Sequence, residues 1–175
     1  SKNSEVYLPD LWPSYFKSAK GCRVRDLDNN SYIDMTMSIG TNILGYSNPY
    51  VNKAVIKTIK ESTMSTFNAP EEVELAKKLL KIHKWAGGVK FARTGGEANA
   101  LSLRVARSFS KKSNIAFCGY HGWHDWYLSA NLNKKNNIDE HLLKGLSSIG
   151  VPKELKNTVF PFQYGNYEQI LNIIK

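Results

Sequence analysis

Residues 89–107 combine an apolar run, a glycine pair and an amphipathic helix pattern, and this combination constrains the fold more than any other part of the chain. Val89 to Ala92 predicts a short buried strand. Thr94-Gly95-Gly96 predicts a tight turn, and Glu97 onward predicts a helix because apolar residues recur there at helical spacing. The apolar stripe of this helix consists of Ala98, Leu101, Val105 and Phe109.

The turn at Thr94, Gly95 and Gly96 has the composition of an anion-binding site. The first N–H groups of a helix have no partner within the helix, and the helix dipole adds partial positive charge there. Two glycines let a phosphate approach the backbone without meeting a Cβ atom, and the Thr94 hydroxyl adds a donor. Glycine pairs also occur in such turns for geometry alone, so both interpretations stay open. No Gly-Lys-Ser/Thr follows, which excludes a Walker loop.

The chain before this turn predicts an irregular arm, a hairpin, a loop and two helices. The arm covers residues 1–20, the hairpin residues 21–36, and the glycine-punctuated loop residues 38–48. Pro49 and Pro70 suit the first positions of the two helices. Each helix has an apolar stripe on one face, and we expect the stripe of the second helix to be buried. That stripe consists of Leu75, Leu79 and Ile82.

The chain after the turn predicts a second strand from Ile115 to Cys118 and a helix from Tyr167 to Lys175. Strands that alternate with helices are typical of an α/β fold with a mostly parallel sheet flanked by helices. Ligands of such sheets bind beyond the carboxyl ends of the strands, which is where the Thr94 turn and the Tyr120 loop both fall.

Residues 119–126 form a loop with two tryptophans, two histidines, one tyrosine and one aspartate. Such a loop can stack on a flat ring, close a core or an interface, or bind a metal through His121, His124 and Asp125. The loose spacing of these side chains disfavours a metal site. An anion-binding turn and an aromatic loop at neighbouring strand ends suit a planar ring that carries a phosphate, such as pyridoxal phosphate or a nucleotide.

Charge and cysteine content restrict the class of protein further. With 24 basic and 15 acidic residues, the net charge of +9 suits either a nucleic-acid partner or a solvated lysine surface. We favour the solvated surface, because the basic residues are dispersed and not interleaved with aromatic residues. No apolar run approaches the ~20 residues of a membrane helix. Cys22 and Cys118 have no metal or redox spacing, so we expect them to be reduced and buried in a cytoplasmic protein.

Four segments, in their order along the chain, resemble the N-terminal portion of the class III aminotransferases, which are fold-type I enzymes that use pyridoxal 5'-phosphate. They are most similar to the glutamate-1-semialdehyde 2,1-aminomutase branch and to related aminotransferases of sugar and polysaccharide pathways. The segments are Asp26 to Asp34, Ile43 to Pro49, Phe67 to Ala76, and Thr94 to Ala98 followed by Tyr120-His121-Gly122.

The resemblance implies a cofactor site. Thr94, Gly95 and Gly96 match the turn that holds the cofactor phosphate in the family. Tyr120 matches the aromatic residue that stacks on the pyridine ring, and His121 is expected to line the same pocket. The family attaches the cofactor to a lysine and sets its ring nitrogen with an aspartate, both further along than this sequence extends. We therefore assign no catalytic residue, and we interpret the chain as a fragment of a longer enzyme that is inactive by itself.

The resemblance also implies a substrate loop and a homodimer interface. Residues 67–70 match a segment at the interface between two subunits. Residues 1–50 would form the arm, hairpin and loop of the small-domain and interface region, and residues 51–175 a partial cofactor-binding large domain. Three residues match a loop that faces the substrate: Ser38, Gly40 and Thr41.

Three positions depart from the family pattern. The family usually has a hydroxyl residue where Gly96 stands, and often an asparagine where Arg93 stands. The aminomutase branch typically has tryptophan where Ile39 stands, so this residue favours a plain aminotransferase over an aminomutase.

These observations together predict a cytoplasmic class III aminotransferase that uses pyridoxal phosphate. It would transfer an amino group from a small-molecule donor to a carbonyl acceptor, as in sugar or polysaccharide biosynthesis. One alternative is a glutamate-1-semialdehyde aminomutase, which moves the amino group within one molecule. Another is a non-catalytic module that binds a phosphate or a nucleotide. We predict no metal, no nucleic-acid partner and no membrane association.

Overall fold

A computed structural model of the chain describes residues 13, 15–133 and 146–175. The rest of the predicted arm, residues 1–12 and 14, lies outside the described residues. The described part forms two compact units, one up to Leu75 and the other from Ala76 onward. In the described part, no helix combines the length and the apolar content needed to cross a bilayer.

The first unit begins with a three-stranded antiparallel sheet in the order β1-β2-β3. Strand β1 (Phe16–Lys20) pairs with β2 (Arg23–Asp26), and β2 pairs with β3 (Ser31–Ile33). The predicted hairpin is confirmed, and Asn29 takes the left-handed backbone conformation in its turn, with φ at 69°. The prediction of an irregular arm is wrong for Phe16–Lys20, because β2 offers a free edge to which this segment can hydrogen-bond.

The buried carboxylate of Asp26 ties the hairpin turn together. It accepts hydrogen bonds from the backbone N–H and side-chain amide of Asn30, and from the Tyr32 hydroxyl. Burial raises the pKa of the Asp26 carboxyl, but these hydrogen bonds outweigh burial and leave its pKa below the ordinary value. The turn is therefore held by side chains of residues close in sequence.

Helices α1 (Pro49–Glu61) and α2 (Pro70–Ile82) both begin at the predicted prolines. The Asn48 side chain caps α1 by accepting from the N–H groups of Tyr50 and Val51, at 3.0 and 3.2 Å. The buried stripe predicted for α2 is wrong, since Ile82 is 72% exposed and the described residues bury no side chain of either helix. An amphipathic face is buried only where a second layer covers it.

The second unit contains α3 (Gly95–Ser110), β4 (Ile115–Phe117), α4 (Asp125–Leu128), β5 (Val159–Pro161) and α5 (Tyr167–Ile174). Its described residues also include two short 3-10 helices, Ser129–Leu132 and Lys153–Leu155. Strands β4 and β5 pair in parallel, which agrees with the predicted α/β fold. The helices predicted at the two ends of this unit, α3 and α5, are both confirmed.

The core of the second unit lies where β4, β5 and the segment after α4 meet. Phe117 of β4 and Val159 of β5 pack with Tyr127 and Ala130, and the last three of these side chains are essentially inaccessible to solvent. Burial raises the pKa of Tyr127 to about 12. This core fixes both ends of the loop between β4 and α4.

Two further expectations from the sequence are wrong. Residues 89–92 form no strand, and Phe91 is 39% exposed, because no described segment pairs with them. Both cysteines carry free thiols, but Cys22 is exposed and Cys118 is only partly buried.

Candidate functional site

The start of α3 is held by a reciprocal pair of side-chain caps. Thr94 precedes the helix in an extended conformation, and its Oγ1 accepts a 3.2 Å hydrogen bond from the Glu97 N–H. The Glu97 carboxylate in turn accepts a 2.9 Å hydrogen bond from the N–H of Arg93. This is close to a capping box. Because the Thr94 oxygen acts as an acceptor, its own hydrogen stays free to donate to a ligand.

The glycine pair leaves two donors at this helix start. Within the described part of the chain, the N–H groups of Gly95 and Gly96 have no hydrogen-bond acceptor. A Cβ atom built on Gly95 would meet nothing within 4 Å, so the outer side of the turn is open. Free N–H groups, an open approach and the helix dipole are the properties that an anion requires. The residues therefore fit a phosphate group.

The loop after β4 approaches this turn at Gly122, which lies close to Gly96. A Cβ atom on Gly122 would lie 3.4 Å from the Cα of Gly96, and Gly122 has a φ of 100°. At the other side of the loop, a ring nitrogen of His121 lies 2.7 Å from the Cys118 carbonyl oxygen. The structure thus brings the two predicted halves of the cofactor site, residues 94–96 and 120–122, together.

The Tyr120 ring is held in place by one contact and is otherwise partly exposed. It packs edge-to-face on the buried Tyr127, with ring centroids 5.8 Å apart and an interplanar angle of 84°. It is nevertheless 54% exposed, so part of the ring is free to contact a ligand. A ring held at one edge loses little conformational entropy when it stacks on another ring.

His121 is held mainly as a structural residue of the loop. Its ring packs against Phe117 at 5.8 Å and lies against Trp126 at 5.9 Å, in addition to its contact with the Cys118 carbonyl. These contacts set the direction in which the chain leaves β4. They account for His121 without a ligand, and its predicted place in the pocket stays a prediction.

His124 lies against the same helix start, although the sequence indicated it only as a weak metal ligand. A Cβ atom built on Gly96 would lie 2.6 Å from both Cδ2 and Nε2 of the His124 imidazole. The described residues contain no group of three or more side chains able to hold a metal. The signal in the sequence was Gly96 itself, since the family usually carries a larger residue at that position.

The predicted substrate loop lies in the first unit and has an unusual backbone. Met37, Ser38 and Ile39 have φ values of 47°, 52° and 59°, and Gly40 follows with 78°. Non-glycine residues pay roughly 1–2 kcal/mol each for a left-handed conformation. Thr41 closes the turn, because its hydroxyl donates a 2.7 Å hydrogen bond to the Ser38 carbonyl.

Asp34 and Tyr46 hold this left-handed turn at its two ends. Asp34 accepts from the N–H groups of Thr36 and Met37, and from the Tyr46 hydroxyl at 2.6 Å. The Tyr46 hydroxyl also lies 3.0 Å from Ser38 Oγ. The hydrogen bond from Tyr46, followed by those from the backbone, lowers the pKa of the Asp34 carboxyl. Sequence reasoning missed both residues, because side chains that support a loop show no motif of their own.

Comparison with known proteins finds similarity to aminotransferases and aminomutases. The sequence profile of the family described as aminotransferase class-III matches residues 10–159. A 3-aminobutyryl-CoA aminotransferase of Cloacimonas acidaminovorans is 32% identical over 97% of this chain and 37% of its own length. A glutamate-1-semialdehyde 2,1-aminomutase of Methanococcoides burtonii is 30% identical over 99% of this chain and 40% of its own length.

A solved transaminase with PLP bound has the same fold as this chain. It superimposes with a TM-score of 0.79 at 25% identity, covering 98% of this chain and 40% of the transaminase. The chain spans no more than 40% of the length of these three proteins.

Proposed function

The chain belongs to the class III aminotransferases, and from this membership we propose that it contributes the phosphate- and ring-binding part of a pyridoxal phosphate site in an aminotransferase. The relatives include both aminotransferases and aminomutases. Ile39, where the aminomutase branch typically has tryptophan, favours transfer between two molecules over a rearrangement within one.

The open start of α3 is the observation that supports this proposal. The N–H groups of Gly95 and Gly96 and the Thr94 hydroxyl would bind the cofactor phosphate, and the exposed face of Tyr120 would stack on its ring. Bound there, the cofactor would supply an electron-accepting ring that stabilises negative charge beside the amino group. The role of these four residues is to bind and orient the cofactor, and His121 holds the loop that carries Tyr120.

Ser38, Gly40 and Thr41 would contact the substrate. The left-handed turn presents them on a loop that Asp34 and Tyr46 hold in one conformation. Strained backbone of this kind occurs preferentially at functional sites. The substrates would be a small-molecule amino donor and a carbonyl acceptor, and a sugar is one candidate acceptor.

The assembly would be a homodimer in the cytoplasm. Phe67, in the segment that matches the family's interface, is 85% exposed in the described chain and would be covered by a second subunit. Two free thiols suit a reducing compartment. The arm, hairpin and loop of residues 1–50 would belong to the small-domain and interface region, and residues 51–175 to the large domain.

Cofactor and amine-transfer assays on the full-length protein test the function. We expect a visible absorbance band when pyridoxal phosphate is added, loss of this band with an amino donor, and its return with a carbonyl acceptor. An aminomutase would instead convert one substrate without a second carbonyl compound. A protein that ignores pyridoxal phosphate but binds a nucleotide would contradict the proposal and favour a non-catalytic module.

A further inference from the structure

The imidazole of His124 occupies the position that a side chain on residue 96 would take. The distance of 2.6 Å from a Cβ at Gly96 to the ring atoms Cδ2 and Nε2 is shorter than any real contact of a Cβ atom. Residue 96 is therefore restricted to glycine as long as His124 holds this place. The edge of the ring that carries Nε2 is the edge turned toward the start of α3.

The position of this ring is set by neighbouring structure. The His124 carbonyl accepts hydrogen bonds from the N–H groups of Tyr127 and Leu128, at 2.9 and 3.0 Å, so the residue is the anchored start of α4. The ring stacks on Trp123, with centroids 5.6 Å apart and an interplanar angle of 25°. A stack on one face leaves the nitrogens at the ring edge available.

The ring nitrogens of His124 have no hydrogen-bond partner among residues 15–133 and 146–175. The imidazole lies against Gly96. The N–H groups of Gly95 and Gly96 also lack an acceptor in this part of the chain. Polar groups from two separate segments, the imidazole of His124 and the two backbone N–H groups, thus lie at one helix start, where the described residues supply no acceptor. An anion with several oxygens, such as a phosphate ester, would satisfy all of them.

We propose that His124 is a phosphate-binding residue, with its Nε2–H donating to the phosphate of pyridoxal phosphate at the start of α3. The imidazole supplies from the next loop the side-chain donor that glycine at position 96 lacks. This inference rests on the proposed function. It adds a residue to the site and gives Gly96 a steric role, since glycine leaves room for the imidazole.

Exchange of the donor between positions 96 and 124 tests this inference in the full-length apoenzyme. The dissociation constants of pyridoxal phosphate and of pyridoxal, which lacks the phosphate, are measured by fluorescence titration. His124→Ala should weaken pyridoxal phosphate binding about 10- to 100-fold, as expected for a hydrogen bond to a charged group, and leave pyridoxal binding unchanged. Gly96→Ser alone should also weaken binding, because the added atoms overlap the imidazole.

The double variant Gly96→Ser/His124→Ala should recover most of the lost affinity for pyridoxal phosphate, because a hydroxyl then enters the vacated space. His124→Gln keeps a donor, so its affinity for pyridoxal phosphate should lie between those of the wild type and His124→Ala. The matched control is His83→Ala, since His83 also packs on a tryptophan, Trp85, with ring centroids 6.0 Å apart, and lies on the exposed surface. It should bind both compounds like the wild type.

Equal affinity of wild type and His124→Ala for pyridoxal phosphate would overturn the inference. An equal loss of affinity for pyridoxal phosphate and for pyridoxal in His124→Ala would also overturn it, because His124 would then act only by supporting the fold. If His124→Ala does not fold, the double variant decides: recovery of folding without recovery of phosphate affinity contradicts a donor role. A wild type that binds neither compound would instead remove the proposed function itself.

Discussion

Tyr46 donates a 2.6 Å hydrogen bond to Asp34 Oδ2, and this pair closes the left-handed turn that contains Ser38 and Gly40. Two side chains separated by the whole loop thus determine its conformation. The same hydroxyl lies 3.0 Å from Ser38 Oγ, so a change at Tyr46 reaches the proposed substrate residues directly.

Tyr46→Phe should destabilise the turn in a pH-dependent way. The hydrogen bond from Tyr46 lowers the pKa of Asp34 in the folded state, so the stability it contributes is present above the unfolded pKa of about 3.9 and is lost as the pH falls through the folded pKa. The difference in unfolding free energy between wild type and variant should therefore be larger at pH 7 than at pH 3. Tyr50→Phe, at an 85% exposed position, serves as control. A difference that stays constant over this range would contradict the role of Asp34.

Thr94→Ala should cost about 1 kcal/mol of unfolding free energy, because the Glu97 N–H loses its acceptor at the start of α3. Thr94→Ser keeps the hydroxyl and should stay close to the wild type. Chemical denaturation measures the effect, and Thr66→Ala, at an exposed threonine outside the helices, controls for the loss of a hydroxyl. If Thr94→Ala and Thr94→Ser were equally stable, Thr94 would not be the cap that the structure indicates.

Gly122→Ala should destabilise the protein by about 1 kcal/mol or more, because alanine is disfavoured at a φ of 100°. The new methyl group would also press on the Cα of Gly96 at 3.4 Å and so weaken cofactor binding. Gly87→Ala is the matched control, since a Cβ there meets nothing within 4 Å. Thermal unfolding of both variants, with and without pyridoxal phosphate, separates the two effects. A Gly122→Ala variant that matched Gly87→Ala in both measurements would show that the two loops do not touch.

Tyr120→Ala should weaken binding of pyridoxal phosphate and pyridoxal to the same extent, because Tyr120 is proposed to stack on the ring that both compounds share. The expected loss is about 5- to 10-fold, which corresponds to roughly 1 kcal/mol for an aromatic pair. This parallel loss distinguishes Tyr120 from His124, whose removal should affect only the phosphate ester. Tyr164→Ala, at a 94% exposed position, is the control. Unchanged binding in Tyr120→Ala would contradict the stacking role.

Local signals in the sequence predicted most of the helices and the anion-binding turn at residues 94–96. Asn48 before Pro49 is a cap that acts within a single turn, so α1 begins where the sequence predicts it. The helix predicted from Glu97 onward begins two residues earlier, at Gly95, because Thr94 caps it. The glycine pair and the aromatic loop were both recognisable because each lies within one short segment. These two segments, together with Asp26 to Asp34, Ile43 to Pro49 and Phe67 to Ala76 in their order along the chain, identified the family resemblance.

Interactions between distant segments were decided only by the tertiary structure. The sequence predicted a strand at residues 89–92, but a strand forms only beside a pairing neighbour, and none of the described residues provides one. It predicted a buried stripe on α2, but burial requires a second layer. By itself the sequence determined the local conformation of most segments, because caps and turns act between residues that are close along the chain. Only the folded chain placed His124 over Gly96 and Tyr46 on Asp34, because such contacts depend on where the backbone returns and not on neighbouring residues.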